Sequence, residues 1–289
     1  MMKSNWLVTV GVALVLTFWA GPLAAARLSL SDALLPGRAV LMQVDGAPAQ
    51  ARFSVRFDGE AVPVSSDGRA ILALDMDHPR HPVVLHVEIN VPRKPALNQV
   101  LEQTLTVAAR TYHTERINGL PAKKVTPDPE QVARAARENA AIKATYARRG
   151  GTPAYLDGFT LPAQGRFSGV FGSRRVLNGE ARNPHNGVDI AAPVGTPIHA
   201  PSAGRVALVG HDYFYTGHTL VLDHGDGVIT LYAHLDKIHV RQGDWVGKGQ
   251  VVADMGKTGR VTGPHLHWGA HVRGRRVDPL MLPGIVATP

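Results

Sequence analysis

Short stretches in which apolar and polar residues alternate fill the chain between about Arg27 and His113. They read RAVLMQV, ARFSVRF, RAILAL, PVVLHVEIN and TLTVAARTY, and glycine, proline or aspartate separates them. A period of two places successive side chains on opposite faces of a strand, and turn residues mark the strand ends. The pattern predicts a small β-sandwich-like domain over residues 27–113.

One later segment has the punctuation of a helix. Asp128 suits an N-cap, Pro129 fits the first helical position, and the alanine-rich sequence EQVARAARENAAIKATYARR follows before Gly150. We predict a connector helix within a linker of residues 114–160. Its alternating charges indicate a solvated face.

The last segment, residues 161–289, returns to a β pattern. The predicted strands RVALV, HTLVLDH, GVITLYAHL, GQVVADM and HLHWGAHV are bounded by glycine-rich turns, and ten of the 14 histidines lie here. The whole chain is therefore predicted to be mainly β, with an antiparallel β-sheet domain at the C-terminal end. Chemistry is expected in that domain.

The N-terminal residues resemble an export signal. Lys3 precedes an apolar run from Trp6 to Ala20, and Ala24–Ala25–Ala26 fits a cleavage site. The alternative is an uncleaved anchor, but the apolar run is shorter than the ~20 residues of a membrane-spanning helix. We predict a signal peptide over residues 1–26, an exported protein in the periplasm or cell envelope, and no stable membrane insertion after cleavage.

Composition narrows the classes of function. The absence of cysteine excludes disulfides and thiolate metal sites, so a transition metal would need histidine and carboxylate ligands. Basic residues give a net charge of +8, yet they are scattered and no nucleic-acid-binding motif accompanies them. We therefore expect no nucleic-acid partner, and an anionic polymer such as the bacterial cell wall suits the charge better.

Two histidines in HLHW have a constrained geometry. In a strand, His265 and His267 face one side, while Leu266 and Trp268 face the other side and should enter the core. Two such imidazoles can bind one metal together, or one can bind it while the other acts on a water. In VITLYAHL the same alternation places Thr230, Tyr232 and His234 on one polar face. If both strands share a sheet, three histidines line a groove.

His185 and Asp189 flank Asn186–Gly187 in a stretch that suits a loop and the start of a strand. An imidazole, a carboxylate and one further histidine would form a catalytic zinc site with a position left open for water. Zinc acidifies that water and polarises a carbonyl, so hydrolysis is the expected chemistry. Each motif alone is weak evidence, but all of them lie in one β domain that lacks an HExxH helix.

The segment from Gly165 to Trp268 resembles the lysostaphin-type (LytM-like) peptidoglycan endopeptidases in order and spacing. The resemblance is carried by GRFSGVFGSRR, HNGVDIAAPVGTPIHAPSAGRV, GHTLVLDHGDG and LYAHLDKIHVRQGDWVGKGQVVADMGKTGRVTGPHLHWG. It implies one Zn²⁺ held by His185, Asp189 and His267, with His234 and His265 as catalytic histidines. It further implies a groove over an antiparallel sheet and hydrolysis of peptide cross-links between peptidoglycan stems, such as D-alanyl–diaminopimelate bonds.

Several alternatives stay open at this point. The chain could be a non-catalytic wall-binding or amidase-activating member of the same family, although such members usually lose metal ligands. It could also be a latent enzyme covered by its N-terminal domain. The segment around Lys257 also resembles a biotinyl or lipoyl carrier turn, but such a carrier domain would have no functional role for the flanking histidines. Surface or structural roles are expected for the remaining histidines: His78, His81, His86, His113, His199, His211, His218, His224, His239 and His271.

Overall fold

The structure, a computed structural model, describes residues 25–117, 128–177, 179–181 and 183–286. The predicted signal peptide therefore lies almost entirely outside the described residues, and its cleavage stays a prediction. Within these ranges, no helix has the length and apolarity needed to cross a membrane.

The N-terminal unit consists of two small antiparallel sheets packed face to face. One has the strand order β1-β2-β5 and the other β4-β3-β6-β7. The predicted alternation is seen directly: in Val83–Asn90 every second residue from Val83 to Ile89 is buried between the sheets. This confirms the predicted β-sandwich-like architecture. The strands are β1 (Arg27–Leu30), β2 (Ala39–Asp45), β3 (Arg52–Phe57), β4 (Glu60–Val62), β5 (Arg69–Ala73), β6 (Val83–Asn90) and β7 (Gln99–Leu105).

The next elements lead from one unit to the other. Strand β8 (Thr114–Ile117) is followed, beyond a stretch outside the described residues, by helix α1 (Pro129–Tyr146). The Asp128 carboxylate accepts a hydrogen bond from the Gln131 N–H at 2.9 Å, so the predicted N-cap and helix start are confirmed. Helix α1 is more than a connector, because Ile142 packs into a small apolar cluster with the large sheet.

The C-terminal unit is built on one ten-stranded antiparallel sheet. The strands of this unit are β9 (Arg166–Gly169), β10 (Arg174–Leu177), β11 (Glu180–Ala181), β12 (Gly187–Ala191), β13 (Pro197–His199), β14 (Gly204–Tyr213), β15 (Gly217–Asp223), β16 (Val228–Ile238), β17 (Trp245–Val246), β18 (Val251–Met255), β19 (Leu266–Val272) and β20 (Arg275–Val277). All of them except β10 and β11 belong to the large sheet. Its main path is β17-β14-β15-β16-β19-β12-β9, with β18 joined to β13 and β16, and β20 joined to β19.

Strands β10 and β11 belong to a separate three-stranded sheet. Strand β10 pairs antiparallel with β11 and parallel with β8, so residues 114–117 of the predicted linker are part of a sheet with residues 174–177. The boundaries of the predicted units stay predictions, but the backbone of the linker is directly paired with the C-terminal unit.

Apolar and charged contacts join the two units. Ile71 and Met76 of the N-terminal unit belong to the same buried cluster as Tyr155, Phe159 and Trp268. Charged pairs surround this contact, including Arg276 with Asp75 at 2.5 Å and with Asp77 at 2.8 Å, Arg275 with Glu60 at 2.9 Å, and Arg110 with Asp278. Residues of both units therefore form one shared core, while the N-terminal sandwich keeps a second core of its own between its sheets.

Candidate metal centre

Two neighbouring strands, together with the residues just before one of them, bring the three predicted metal ligands close together. In the register of β12 and β19, Asp189 lies directly opposite His267, so both side chains project from the same face of the sheet. His185 lies two residues before β12. His267 Nδ1 is 2.9 Å from Asp189 Oδ1, His185 Nε2 is 3.1 Å from that oxygen, and the two nitrogens are 3.0 Å apart.

The His185 ring is oriented by the backbone on its far side. Its Nδ1 lies 3.1 Å from the Val170 carbonyl oxygen, which can only accept, so Nδ1 carries the proton and Nε2 presents its lone pair to the site. The His185 main chain is held as well, because Gly172 N donates to its carbonyl at 2.8 Å and its own N–H donates to Ser173 O at 2.9 Å. Such outer contacts fix a metal-binding histidine.

Two glycines make room for the three side chains. A Cβ atom at Gly169 would lie 2.1 Å from Asp189 Oδ2, and one at Gly187 would lie 2.3 Å from the Trp268 carbonyl oxygen. Real Cβ atoms do not approach other atoms this closely. The Asp189 carboxylate and the close approach of β12 to β19 therefore require glycine at both positions.

The donor atoms fit a small divalent metal. A tetrahedral zinc ion with ligand bonds of about 2.0–2.1 Å keeps its donors about 3.3 Å apart, close to the separations found here. Two imidazole nitrogens and one carboxylate oxygen form a donor set that suits zinc. The side chains of His185, Asp189 and His267 remain 24%, 21% and 18% exposed. Solvent can therefore reach the fourth coordination position of a metal ion held by these three residues.

The electrostatics of the site also favour a cation. Burial by itself would raise the pKa of Asp189, but its interactions with the His185 and His267 rings outweigh burial and hold that pKa well below its usual range. Burial lowers the pKa of His267, against the opposing effect of Asp189. Asp189 is therefore ionised and His267 tends to be neutral, which are the forms that bind metal.

The two predicted catalytic histidines lie beside this group. His265 immediately precedes β19, and its Nε2 is 4.0 Å from Asp189 Oδ1. The ring centroids of His234 and His265 are 4.7 Å apart, and those of His234 and His267 are 6.3 Å apart. The structure thus brings all five predicted site residues together, with Leu266 and Trp268 in the core as expected.

The prediction for the face of β16 was wrong. Tyr232 lies opposite Trp268 in the register and Thr230 opposite Ala270, so both point into the core and away from the site. His234 leaves this alternation because its φ of 65° is left-handed and because the pairing of β15 with β16 shifts by one residue between His218 and Leu220. This bulge turns His234 toward the face that carries His267.

Both catalytic candidates have one nitrogen bound to a backbone carbonyl. His234 Nδ1 donates to Thr258 O at 2.9 Å, and His265 Nδ1 donates to Gly263 O at 3.0 Å. In each neutral ring Nε2 is therefore the unprotonated atom. Burial lowers the pKa of His234 to about 4, so it is neutral at physiological pH and can accept a proton. These carbonyl partners, like the glycines, carry no sequence signal that could have identified them.

The histidines predicted to lie outside the site occupy varied positions. His271 is buried and stacks on the Tyr146 ring with 3.7 Å between the ring centroids, in agreement with a structural role. His78 and His81 lie near Asp58 in a second group of potential ligands. The Arg80 N–H donates to His78 Nδ1 at 3.2 Å, so the neutral His78 ring carries its proton on Nε2 and cannot offer that atom to a metal.

The chain is similar in sequence to known peptidases. The model of Peptidase family M23 matches residues 183–279. Peptidoglycan DD-endopeptidase ShyA of Vibrio cholerae is 41% identical over 123 residues, which are 42% of this chain and 28% of that protein. DD-carboxypeptidase/endopeptidase Mpg of Neisseria meningitidis is 41% identical over 115 residues, which are 40% of this chain and 26% of that protein.

A solved structure extends the similarity to both units. The chain in a crystal structure described as a peptidase M23 from Pseudomonas aeruginosa is 30% identical in sequence to this protein. The two superpose with a TM-score of 0.63 over 88% of this chain and 97% of that chain. The chain therefore belongs to peptidase family M23. It spans only about a quarter of the length of the curated relatives, at 28% of ShyA and 26% of Mpg.

Proposed function

We propose that this protein is a zinc-dependent endopeptidase that hydrolyses peptide cross-links of bacterial peptidoglycan. The observation that carries the proposal is the convergence of His185, Asp189 and His267 within 3.1 Å of one another, beside two further histidines. The family membership and the relatives described as DD-endopeptidases support D-alanyl–diaminopimelate bonds as the substrate.

The residues of the site divide into two sets by what they can do. His185, Asp189 and His267 would hold one Zn²⁺, which would polarise the scissile carbonyl and lower the pKa of a water molecule. His234 and His265 each present an unprotonated Nε2 on the same side of the sheet. One of them takes the proton of the attacking water at this nitrogen, and the other, in its protonated form, stabilises the developing oxyanion or protonates the leaving amine.

Export and substrate are consistent with each other. The signal-like residues 1–26 would direct the chain to the periplasm or cell envelope, where peptidoglycan is found. The net charge of +8 favours an anionic polymer, and neither nucleic acid nor stable membrane insertion is part of the proposal.

Neither alternative function gains support from the site. A non-catalytic wall-binding or amidase-activating role is disfavoured because a complete set of potential ligands is present. A latent enzyme covered by its N-terminal unit is disfavoured because the side chains of His185, Asp189, His265 and His267 stay 18–24% exposed with that unit in place.

Ligand substitutions test the proposal. The Asp189→Ala and His267→Ala variants should lose zinc, measured as metal content of the purified protein, and should lose hydrolysis of purified peptidoglycan. His239→Ala is the matched control, because this histidine of the same unit is 42% exposed and pairs with Asp254 outside the site. Hydrolysis that persists in a zinc-free variant would rule the proposal out.

A further inference from the structure

The segment that leaves the N-terminal unit runs beside the loop that carries His185. Strand β8 pairs in parallel with β10, and Arg174 N donates to His113 O at 2.8 Å where this pairing begins. Asp77 of the N-terminal unit also binds the Arg174 side chain at 2.7 Å. Residues 170–177 of the C-terminal unit are therefore held by residues that come from outside it.

Tyr112, which lies just before strand β8, packs against residue 172 of the C-terminal unit. A Cβ atom at Gly172 would lie 2.0 Å from Tyr112 Cδ1, so the ring lies directly against the Gly172 backbone. Gly172 has a φ of +78°, a conformation that favours glycine. Only a residue without a side chain can take this conformation and accept the ring at this distance.

The Tyr112 ring is itself fixed from several sides. Its hydroxyl donates to Pro36 O at 3.1 Å, the Arg110 guanidinium lies 5.1 Å from its centroid, and the ring of Phe171 meets it edge-on at 6.1 Å. Phe171 is buried in the shared core. Tyr112 is thus a fixed surface against which Gly172 rests.

Gly172 is one hydrogen bond away from His185. Its N–H donates to the His185 carbonyl at 2.8 Å, the His185 N–H donates to Ser173 O at 2.9 Å, and the Val170 carbonyl accepts from the ring at 3.1 Å. These three contacts of His185 all involve residues 170–173, the segment against which the Tyr112 ring packs.

We propose that Tyr112 is a positioning residue for His185, so that the exit segment of the N-terminal unit is a structural part of the metal centre. This inference rests on the proposed function, since it assigns His185 to zinc. The Tyr112 side chain touches neither metal nor substrate, and it acts by keeping the backbone of residues 170–173 in place. Loss of an outer contact of a ligand typically weakens metal binding by about 10–100-fold.

The test compares the zinc affinity of full-length variants by competition with a chromophoric chelator. Tyr112→Ala should raise the Kd for zinc by about tenfold, the lower end of the usual range for outer contacts. Tyr112→Phe keeps the ring against Gly172 and should restore an affinity close to that of the wild type. If Tyr112→Ala does not fold, Tyr112→Leu removes the flat ring while keeping apolar volume, and the same loss of affinity is expected.

A second contact between the two units supplies the matched control. Glu60→Ala breaks the 2.9 Å pair with Arg275 without touching residues 170–173, and zinc affinity should be unchanged. Wild-type affinity in Tyr112→Ala, or an equal loss in Glu60→Ala, would overturn the inference alone. A wild-type protein that binds no zinc would overturn the proposed function and this inference with it.

Discussion

At the scale of single residues, the space around Asp189 is as specific as the ligands themselves. The carboxylate occupies the volume that a side chain at residue 169 would fill, with only 2.1 Å between Oδ2 and a Cβ atom placed there. Its Oδ1 lies 3.1 Å from His185 Nε2 and 2.9 Å from His267 Nδ1, and the two histidines hold the pKa of Asp189 well below its usual range. Gly169, which has no side chain, therefore determines where the Asp189 carboxylate can lie.

Gly169→Ala should weaken zinc binding although no ligand changes. The added methyl group must displace the Asp189 side chain or separate β9 from β12, and either movement spoils the donor geometry. Zinc affinity by chelator competition measures the effect. Gly247→Ala is the control, because a Cβ atom there meets nothing within 4 Å and its φ is not left-handed. Equal zinc affinity in the two variants would contradict the steric account.

At the scale of elements, strand β16 is the part of the site that the sequence pattern described incorrectly. Alternation assigned His234 to the face of Thr230 and Tyr232, but the bulge places it on the opposite face. Helix α1 was predictable because its N-cap and proline act locally. A bulge depends on the pairing of two strands, so the residues of β16 alone give no sign of it.

The left-handed backbone at His234 predicts how substitutions there differ. Asparagine tolerates a positive φ, whereas a β-branched residue is strongly disfavoured, by roughly 1–2 kcal/mol. Both His234→Asn and His234→Val should lose peptidase activity. His234→Val should also reduce the free energy of unfolding by about 1–2 kcal/mol more than His234→Asn. Urea unfolding of the two variants measures the difference, and equal stability would argue against a left-handed residue 234.

At the scale of the whole molecule, the two units are joined by the shared core. Ile71 and Met76 complete a cluster that consists mainly of residues from the C-terminal unit. The sequence predicted the two units but not their contact, because the contact joins residues far apart in the chain and no local pattern records it. The HLHW and HNGVD motifs could be identified from the sequence because the residues of each motif are close together in the chain.

The stability of the whole molecule should depend on pH through buried neutral histidines. Burial lowers the pKa of His224 to about 4, and the ring donates to Ala203 O while accepting from Thr230. Because its pKa is about 6.5 in the unfolded chain, the unfolded state binds the extra proton between pH 4 and 6.5. The free energy of unfolding should therefore fall as pH decreases through this window, by up to about 3 kcal/mol for this residue.

Urea unfolding between pH 4 and 7 checks this dependence. His224→Gln should flatten the slope, although His271, whose pKa burial also lowers to about 4, will retain part of it. The matched control is His211→Gln at an exposed position, which should leave the slope as it is in the wild type. A slope that is identical in His224→Gln and wild type would show that this buried imidazole does not govern acid sensitivity.

The most direct test of zinc-dependent cross-link hydrolysis is mass spectrometry of a purified cross-linked muropeptide dimer after incubation with the purified protein. Hydrolysis of the D-alanyl–diaminopimelate bond should release two monomers, each identified by mass. The reaction should stop when a chelator removes the metal and resume when zinc is added back. Intact dimer in the presence of zinc, or cleavage that continues in excess chelator, would contradict a zinc-dependent endopeptidase built on His185, Asp189 and His267.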